Sequence, residues 1–143
     1  MTVKSIPLAL IAVEAHALDA ARFMDELAWE KRVLVIFASD ASDAALRQQD
    51  QALAIERDGL AERQITVIRV FANGLVSVDG QNQDNSAASF YQHFGTAQGR
   101  FRVFLVGKDG SVKLDRAVPV SVADLFSLTD SMPMRRQEMR DDG

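Results

Sequence analysis

The sequence contains no cysteine among its 143 residues. Disulfide bonds, thiolate metal ligands and thiol nucleophiles are therefore excluded, and so is redox chemistry that cycles a cysteine. Histidine is almost as scarce, because only His16 and His93 occur, and they lie far apart in the chain. Two such residues offer little for a metal site. We therefore expect the chain to hold no metal and no cofactor.

An excess of basic charge and a long apolar run are also lacking. The chain has 16 Lys and Arg against 20 Asp and Glu, for a net charge of -4. Nucleic-acid binders need a basic surface to neutralise phosphates, so we expect no nucleic-acid partner. No stretch approaches the roughly 20 apolar residues that cross a bilayer, so we expect no transmembrane segment. Hydrophobic residues make up 48% of the chain, which is typical of one globular domain with its own core.

The first 17 residues have the outline of a secretory signal peptide. Lys4 precedes an apolar stretch at 6–13, and Ala15-His16-Ala17 has the small residues of a cleavage site. Glu14 interrupts that pattern, and the alternative is an N-terminal arm of a cytoplasmic protein. We expect a single domain over residues 18–140 and a tail at 141–143. The expected location is periplasmic or secreted, with cytoplasmic as the alternative.

The middle of the chain alternates between strand and helix patterns. The continuous apolar, β-branched run at 33–38 predicts a strand that is covered on both faces. A helix is predicted over 44–58, because Leu46, Leu53 and Leu60 recur on one face. A second strand follows at 65–71. Residues 73–85 are predicted as a loop, and 86–94 as a short helix that ends at Gly95.

The last third predicts a hairpin and a helix. Strands at 101–106 and 112–116 flank a tight turn at Lys108-Asp109-Gly110. Ser121 caps a helix whose inward stripe includes Leu125 and Phe126, and Pro133 stops it. The order strand, helix, strand, helix, strand, strand, helix, with two parallel crossovers, predicts a three-layer α/β fold of the thioredoxin-like kind. Residues 18–30 should extend it at the N-terminus, with Leu27 and Trp29 packed on the core.

Three segments resemble the bacterial family called domain of unknown function 4174. They are the run from Trp29 to residue 38, the hairpin around Lys108-Asp109-Gly110, and the Met-Pro-Met-Arg-Arg-Gln-Glu-Met-Arg segment at 132–140. The resemblance covers about residues 18–140. It implies a thioredoxin-like fold that is distantly related to peroxiredoxins. It also implies kinship with domains of vertebrate extracellular proteins, and export of many members, but no established substrate or catalytic residue.

The first candidate site is the loop after the first strand, where thioredoxin-like proteins carry their reactive cysteines at a helix N-terminus. This chain has no thiol there but has four polar side chains, Ser39, Asp40, Ser42 and Asp43. We interpret them as helix caps, with a carboxylate site for a cation or a proton transfer as the alternative. Arg100 stands near the position of the thioredoxin cis-proline. We predict that Arg100 or Arg102 approaches Asp40 or Asp43.

The second candidate is a binding surface formed by the C-terminal arginines and the hairpin turn. Its residues are Arg135, Arg136, Arg140, Lys108 and Asp109. Clustered arginines can hold an acidic partner or a phosphate. One alternative is a short helix with Met134 and Met139 packed on the body and its arginines solvated or paired to its acids. The other is a purely structural hairpin turn. His93 is interpreted as a surface or core-edge residue, with a pH-sensitive or ligand role as the alternative.

These patterns favour a redox-inactive thioredoxin-like domain that binds a protein or a polymer of the cell envelope. The alternative is an oxidoreductase-like enzyme that uses a bound cofactor or metal in place of cysteine. A structural module that assembles as a homodimer is a third hypothesis.

Overall fold

The computed structural model of this protein describes residues 19–83 and 86–142, so the predicted signal peptide at 1–17 lies outside the described residues. The last helix continues to Asp142, through residues that the sequence predicted as a tail. The elements are α1 Ala20–Leu27, β1 Arg32–Ala38, α2 Ala44–Ile55, α3 Arg57–Glu62, β2 Ile65–Phe71, β3 Val76–Val78, β4 Gln81–Gln83, α4 Ala87–Phe94, β5 Arg102–Val106, β6 Val112–Arg116, α5 Val122–Asp130 and α6 Pro133–Asp142.

Strand β1 lies inside a six-stranded sheet of order β4-β3-β2-β1-β5-β6. It pairs in parallel with β2, from Arg32 opposite Ile65 to Ala38 opposite Phe71. All seven residues of β1 are buried, as the continuous apolar run predicted. The strand order and the helices on both faces confirm the thioredoxin-like α/β fold.

The two faces of β1 supply two separate cores. Leu34 and Ile36 face the leucines of α2 and α3 and the buried Leu125 of α5. Val35 and Phe37 face the opposite side, where α1 and α4 cover them. Alternation along an extended strand produces this division, because successive side chains point to opposite faces of the sheet. The protein therefore has three layers, with the sheet in the middle.

The third core strand does not run in the predicted direction. The sequence predicted two parallel crossovers, but β5 is antiparallel to β1. The connection through α4 starts and ends at the same end of the sheet. Ser86 N–H donates to the Gly74 carbonyl beside the end of β2, and Arg102 at the start of β5 pairs with Phe37 near the end of β1. The chain therefore enters β5 from the end at which β1 finishes.

Residues 73–85 are not the predicted loop, because β3 and β4 form a hairpin there. Asp79 and Gly80 both have positive φ, 47° and 89°. That pair is typical of the type I′ turn, which matches the twist of hairpin strands. The Asp79 carboxylate also accepts a hydrogen bond from Val67 N–H at 2.8 Å, which fixes the hairpin against β2.

Trp29 does not pack on the core as predicted, although Leu27 does. The Trp29 side chain is 64% exposed. The residue has φ 71° and follows the last turn of α1, a position that usually holds glycine or asparagine. Its N–H donates to the Lys108 carbonyl at 2.6 Å. This left-handed conformation costs a bulky residue about 1–2 kcal/mol.

The predicted helix over 44–58 is interrupted at Glu56, whose φ of -114° and ψ of 35° are not helical. Beyond the break, α3 still places Leu60 in the core that holds Leu46 and Leu53. The break also brings Gly59 against the ring of Phe126. A Cβ atom at Gly59 would lie 2.5 Å from a ring carbon, which is too close for any side chain.

We expect Gly59→Ala to destabilise the protein, although Gly59 lies in a helix. Helix propensity alone favours alanine by about 1 kcal/mol. The clash with Phe126 is expected to cost about 1–3 kcal/mol and so to outweigh it. Urea unfolding of the single variant and of Gly59→Ala in a Phe126→Leu background measures the difference. Equal destabilisation in both backgrounds would contradict the close contact.

Candidate functional site

The loop between β1 and α2 is organised around the carboxylate of Asp43. One carboxylate oxygen accepts hydrogen bonds from Ala45 N–H at 2.9 Å and Leu46 N–H at 3.2 Å. The other accepts from the Ser39 hydroxyl at 3.1 Å and the Ser39 N–H at 3.3 Å. Asp43 therefore caps α2, and its negative charge takes the place at which helix N–H groups would stabilise a thiolate.

Asp40 forms a second, smaller turn in the same loop. It accepts from the Ser42 N–H at 2.8 Å and the Ser42 hydroxyl at 2.6 Å, and these bonds lower its pKa. Burial acts to raise the pKa of Asp43, but the four hydrogen bonds outweigh it and the pKa is lowered. Both carboxylates are ionised at neutral pH. Neither is suited to proton transfer near pH 7, which requires a pKa close to that pH.

Among the described residues, neither Arg100 nor Arg102 forms an ion pair with this loop. Arg102 Nε and Nη2 bind the two carboxylate oxygens of Asp115 at 2.7 and 2.8 Å. Both residues lie on one face of the β5–β6 pair, as diagonal neighbours across the strands, and Arg102 therefore reaches Asp115 first. Arg100 is exposed, and in the described part of the chain no ion pair joins either arginine to Asp40 or Asp43.

The C-terminal arginines are divided between the interior and the surface. Arg135 is 2% exposed, and its guanidinium binds Asp130 at 3.1 Å and Glu62 at 2.7 Å. Arg136 and Arg140 are exposed, and Arg140 donates to the Gln137 side chain on the same helix. The alternative of a short helix is confirmed by α6, and its arginines are either exposed or paired with acids, Arg135 reaching Glu138 of the same helix at 3.7 Å. Its two methionines are packed only in part, since Met134 and Met139 are each 37% exposed.

The hairpin residues are divided in the same way. Lys108 is buried, and its ammonium donates to Glu138 at 2.6 Å and to the side-chain oxygen of Gln64. Asp109 is exposed in the turn. Hydrogen bonds from the backbone and side chain of Ser111, and then from Lys113, lower the pKa of Asp109 to about 2. Lys108 therefore stabilises the interior, whereas Asp109 shapes the turn.

Glu138 connects these groups, and it was not among the residues that the sequence marked. Its two carboxylate oxygens accept from the two terminal nitrogens of Arg32 at 3.2 and 3.1 Å. Arg32 is fully buried at the start of β1 and also donates to the Arg63 carbonyl at 2.7 Å. We name as the C-terminal ion network the set Arg32, Glu62, Lys108, Asp130, Arg135 and Glu138. The sequence signal that could have identified Glu138 is its place as the single acid within the arginine-rich segment 132–140.

The positive charges of this network keep its two half-buried acids, Glu138 and Asp130, ionised. Burial acts to raise the pKa of Glu138, but hydrogen bonds from Arg32 and Lys108 outweigh it and the pKa is lowered. The same opposition lowers the pKa of Asp130, where Arg63 and Arg135 donate the hydrogen bonds. Both acids are therefore ionised in the folded protein. The network fastens α6 to the sheet, and its buried members are not available to an external ligand.

We expect Glu138→Gln to destabilise the protein by about 3 kcal/mol, because it leaves Arg32 and Lys108 buried without their counter-charge. A carboxyl whose pKa is lower in the folded state adds stability above its unfolded pKa and loses it as pH falls. The wild type should therefore lose this contribution below about pH 4. Denaturant unfolding from pH 7 to pH 3 should show a shallower decline in the variant. Parallel declines would contradict this role of Glu138.

Within the described residues, no group of three His, Asp or Glu side chains is arranged to hold a metal ion. None of the helices between residues 19 and 142 is long and apolar enough to cross a membrane.

Solved structures with a similar fold include peroxiredoxins. A reduced 2-Cys peroxiredoxin of Plasmodium vivax superposes with a TM-score of 0.60 at 13% identity, over 79% of this chain and 83% of that one. Mycobacterium tuberculosis AhpC gives a TM-score of 0.55 at 14% identity, over 75% of this chain and 71% of that one. Identities this low establish the fold alone.

Sequence comparison gives a closer relationship. Coiled-coil domain-containing protein 80 of Danio rerio is 30% identical over 134 residues, which cover 82% of this chain but 16% of that protein. The chain thus matches a small part of a much longer vertebrate protein, and the match does not restrict the family to bacteria. The sequence profile described as Domain of unknown function (DUF4174) matches residues 23–138. The chain belongs to the DUF4174 family.

Proposed function

We propose that this chain is a binding domain without redox activity, built on the fold of a peroxiredoxin. The loop between β1 and α2 is the observation that carries the proposal. Its helix N-terminus is occupied by the Asp43 carboxylate, and the sequence supplies no thiol anywhere. A peroxidatic nucleophile must give an electron pair to the peroxide oxygen and be oxidised itself. The Ser39 and Ser42 hydroxyls do not undergo that cycle.

The purified protein should show no turnover of hydrogen peroxide with dithiothreitol as the reductant, beyond the rate of the reductant alone. The assay measures peroxide consumption over time, with a cysteine-based peroxiredoxin as the positive control. Turnover that depends on a metal or a coloured group that remains bound to the protein through purification would favour the oxidoreductase-like alternative and overturn the proposal.

The proposed partner is an acidic protein or polymer of the cell envelope, bound by the exposed arginines of α6. Because Arg135 and Lys108 are paired inside the protein, Arg136 and Arg140 remain as the cations that this surface presents. Asp109 of the hairpin turn is exposed but negatively charged, so it would not attract an acidic partner. The envelope location is supported by the signal-like pattern at residues 1–17.

Native protein isolated from separated periplasmic and cytoplasmic fractions tests the location and the surface together. We expect a periplasmic species with the mass of a chain cut after Ala17, and co-purifying partners that are lost in Arg136→Ala/Arg140→Ala. A full-length cytoplasmic species would contradict the envelope location.

A second double variant, Arg22→Ala/Arg47→Ala, is the matched control, because it removes two exposed arginines from other helices. It should retain the partners. Capture that is unchanged in Arg136→Ala/Arg140→Ala would show that the proposed surface is wrong, and equal loss in both double variants would show that only net charge matters.

A further inference from the structure

A groove of about 460 Å³ opens between α1, α4 and the β5–β6 hairpin, at a different place from the arginines of α6. We call it the Trp29 groove. Its apolar wall includes Trp29, Phe94, Phe104 and Val112, and its carboxylates are Asp25 and Asp109. The rings of Phe94 and Phe104 pack together with centroids 5.0 Å apart. The groove therefore presents aromatic surface and negative charge together.

Trp29 is unusual because neither its backbone nor its packing favours tryptophan. Its φ of 71° suits glycine, and its ring is largely exposed. Strained residues of this kind persist where the surrounding structure holds them, and they concentrate at ligand-binding positions. Here the N–H of Trp29 is held by the Lys108 carbonyl, while the side chain borders the groove. The position thus holds an aromatic ring that the fold itself does not require.

The charge of the groove is of one sign. No lysine or arginine is among the side chains that line it, and the one imidazole of the lining, His93, packs with its ring centroid 5.0 Å from that of Phe94. Among the described residues the Asp25 side chain has no ion-pair partner. The carboxylate of Asp109, in contrast, forms a salt bridge with Lys113, whose Nζ lies 3.1 Å from Asp109 Oδ2. An anion would be repelled here. A purely apolar occupant would desolvate Asp25 without compensating its charge.

We propose that the Trp29 groove binds the ammonium group of a lysine side chain in a basic segment of a partner protein. Aromatic faces attract an ammonium group electrostatically, tryptophan most strongly, and a nearby carboxylate adds to that attraction. The aliphatic stem of lysine suits the apolar wall. The inference rests on the proposed binding function and adds a second contact, because the arginines of α6 attract acidic groups whereas the Trp29 groove attracts a cation.

Trp29 is the sole tryptophan of the sequence, so its emission reports on the groove directly. Full-length protein is titrated with tetralysine and with tetralysine acetylated on its side chains, at constant ionic strength. We expect a saturable change in Trp29 emission with tetralysine. Binding of the acetylated peptide should be at least about tenfold weaker, because the positive charge that the rings and Asp25 attract is gone.

Two acidic variants separate the groove from general charge. Asp25→Asn should weaken tetralysine binding about three- to tenfold. Glu26→Gln removes the same charge from the same helix at a residue that does not line the groove, and it should leave the affinity unchanged. Equal weakening by both variants would overturn the proposal in favour of non-specific attraction.

Trp29→Gly distinguishes a ligand-binding tryptophan from a structural one. Followed by calorimetry, tetralysine binding should be lost, while the Tm is unchanged or raised because glycine relieves the left-handed backbone. A lowered Tm with retained binding would overturn the proposal.

Equal binding of tetralysine and of the acetylated peptide would also overturn the proposal. A Trp29 emission that changes with protein concentration but not with peptide would do the same, since a second copy of the chain would then occupy the groove. Such a failure, with partners still captured through Arg136 and Arg140, would leave the proposed function intact.

Discussion

The pairing of Glu138 with Arg32 and Lys108 holds one end of the protein together. Arg32 begins the fully buried strand β1, and Lys108 lies in the turn that joins β5 to β6. Charges buried to this degree are costly alone and become tolerable only when each has its counter-charge. The helix α6 supplies that counter-charge from the end of the chain. The positions of α6 and β1 therefore depend on each other.

This dependence changes the meaning of the arginine-rich segment. Arg135 and Glu138 form ion pairs inside the protein. Part of the distinctive sequence at 132–140 therefore serves to hold α6 against the sheet. The loop between β1 and α2 also uses its charged side chain, Asp43, for the local structure. There the Asp43 carboxylate accepts hydrogen bonds from the first N–H groups of α2. A shared fold does not by itself imply a shared reaction, since activity resides in particular side chains.

Lys108 links the C-terminal ion network to the Trp29 groove. Its ammonium contacts Glu138 on one side, while its carbonyl accepts the N–H of Trp29 on the other. The left-handed backbone of Trp29 is therefore hydrogen-bonded to the same residue that neutralises the half-buried Glu138.

The sequence by itself determined the local elements: the buried strand at 33–38, the leucine face through Leu60, the Asp43 cap and the hairpin turn at Lys108. Each depends on residues close together in the chain, whose spacing and caps have direct physical meaning. Only the tertiary structure decided the direction of β5, the burial of Arg135, the exposure of Trp29 and the role of Glu138. Ion pairs such as Arg32 with Glu138 join residues 106 positions apart, and the spacing of charges along a sequence does not state which of them will meet.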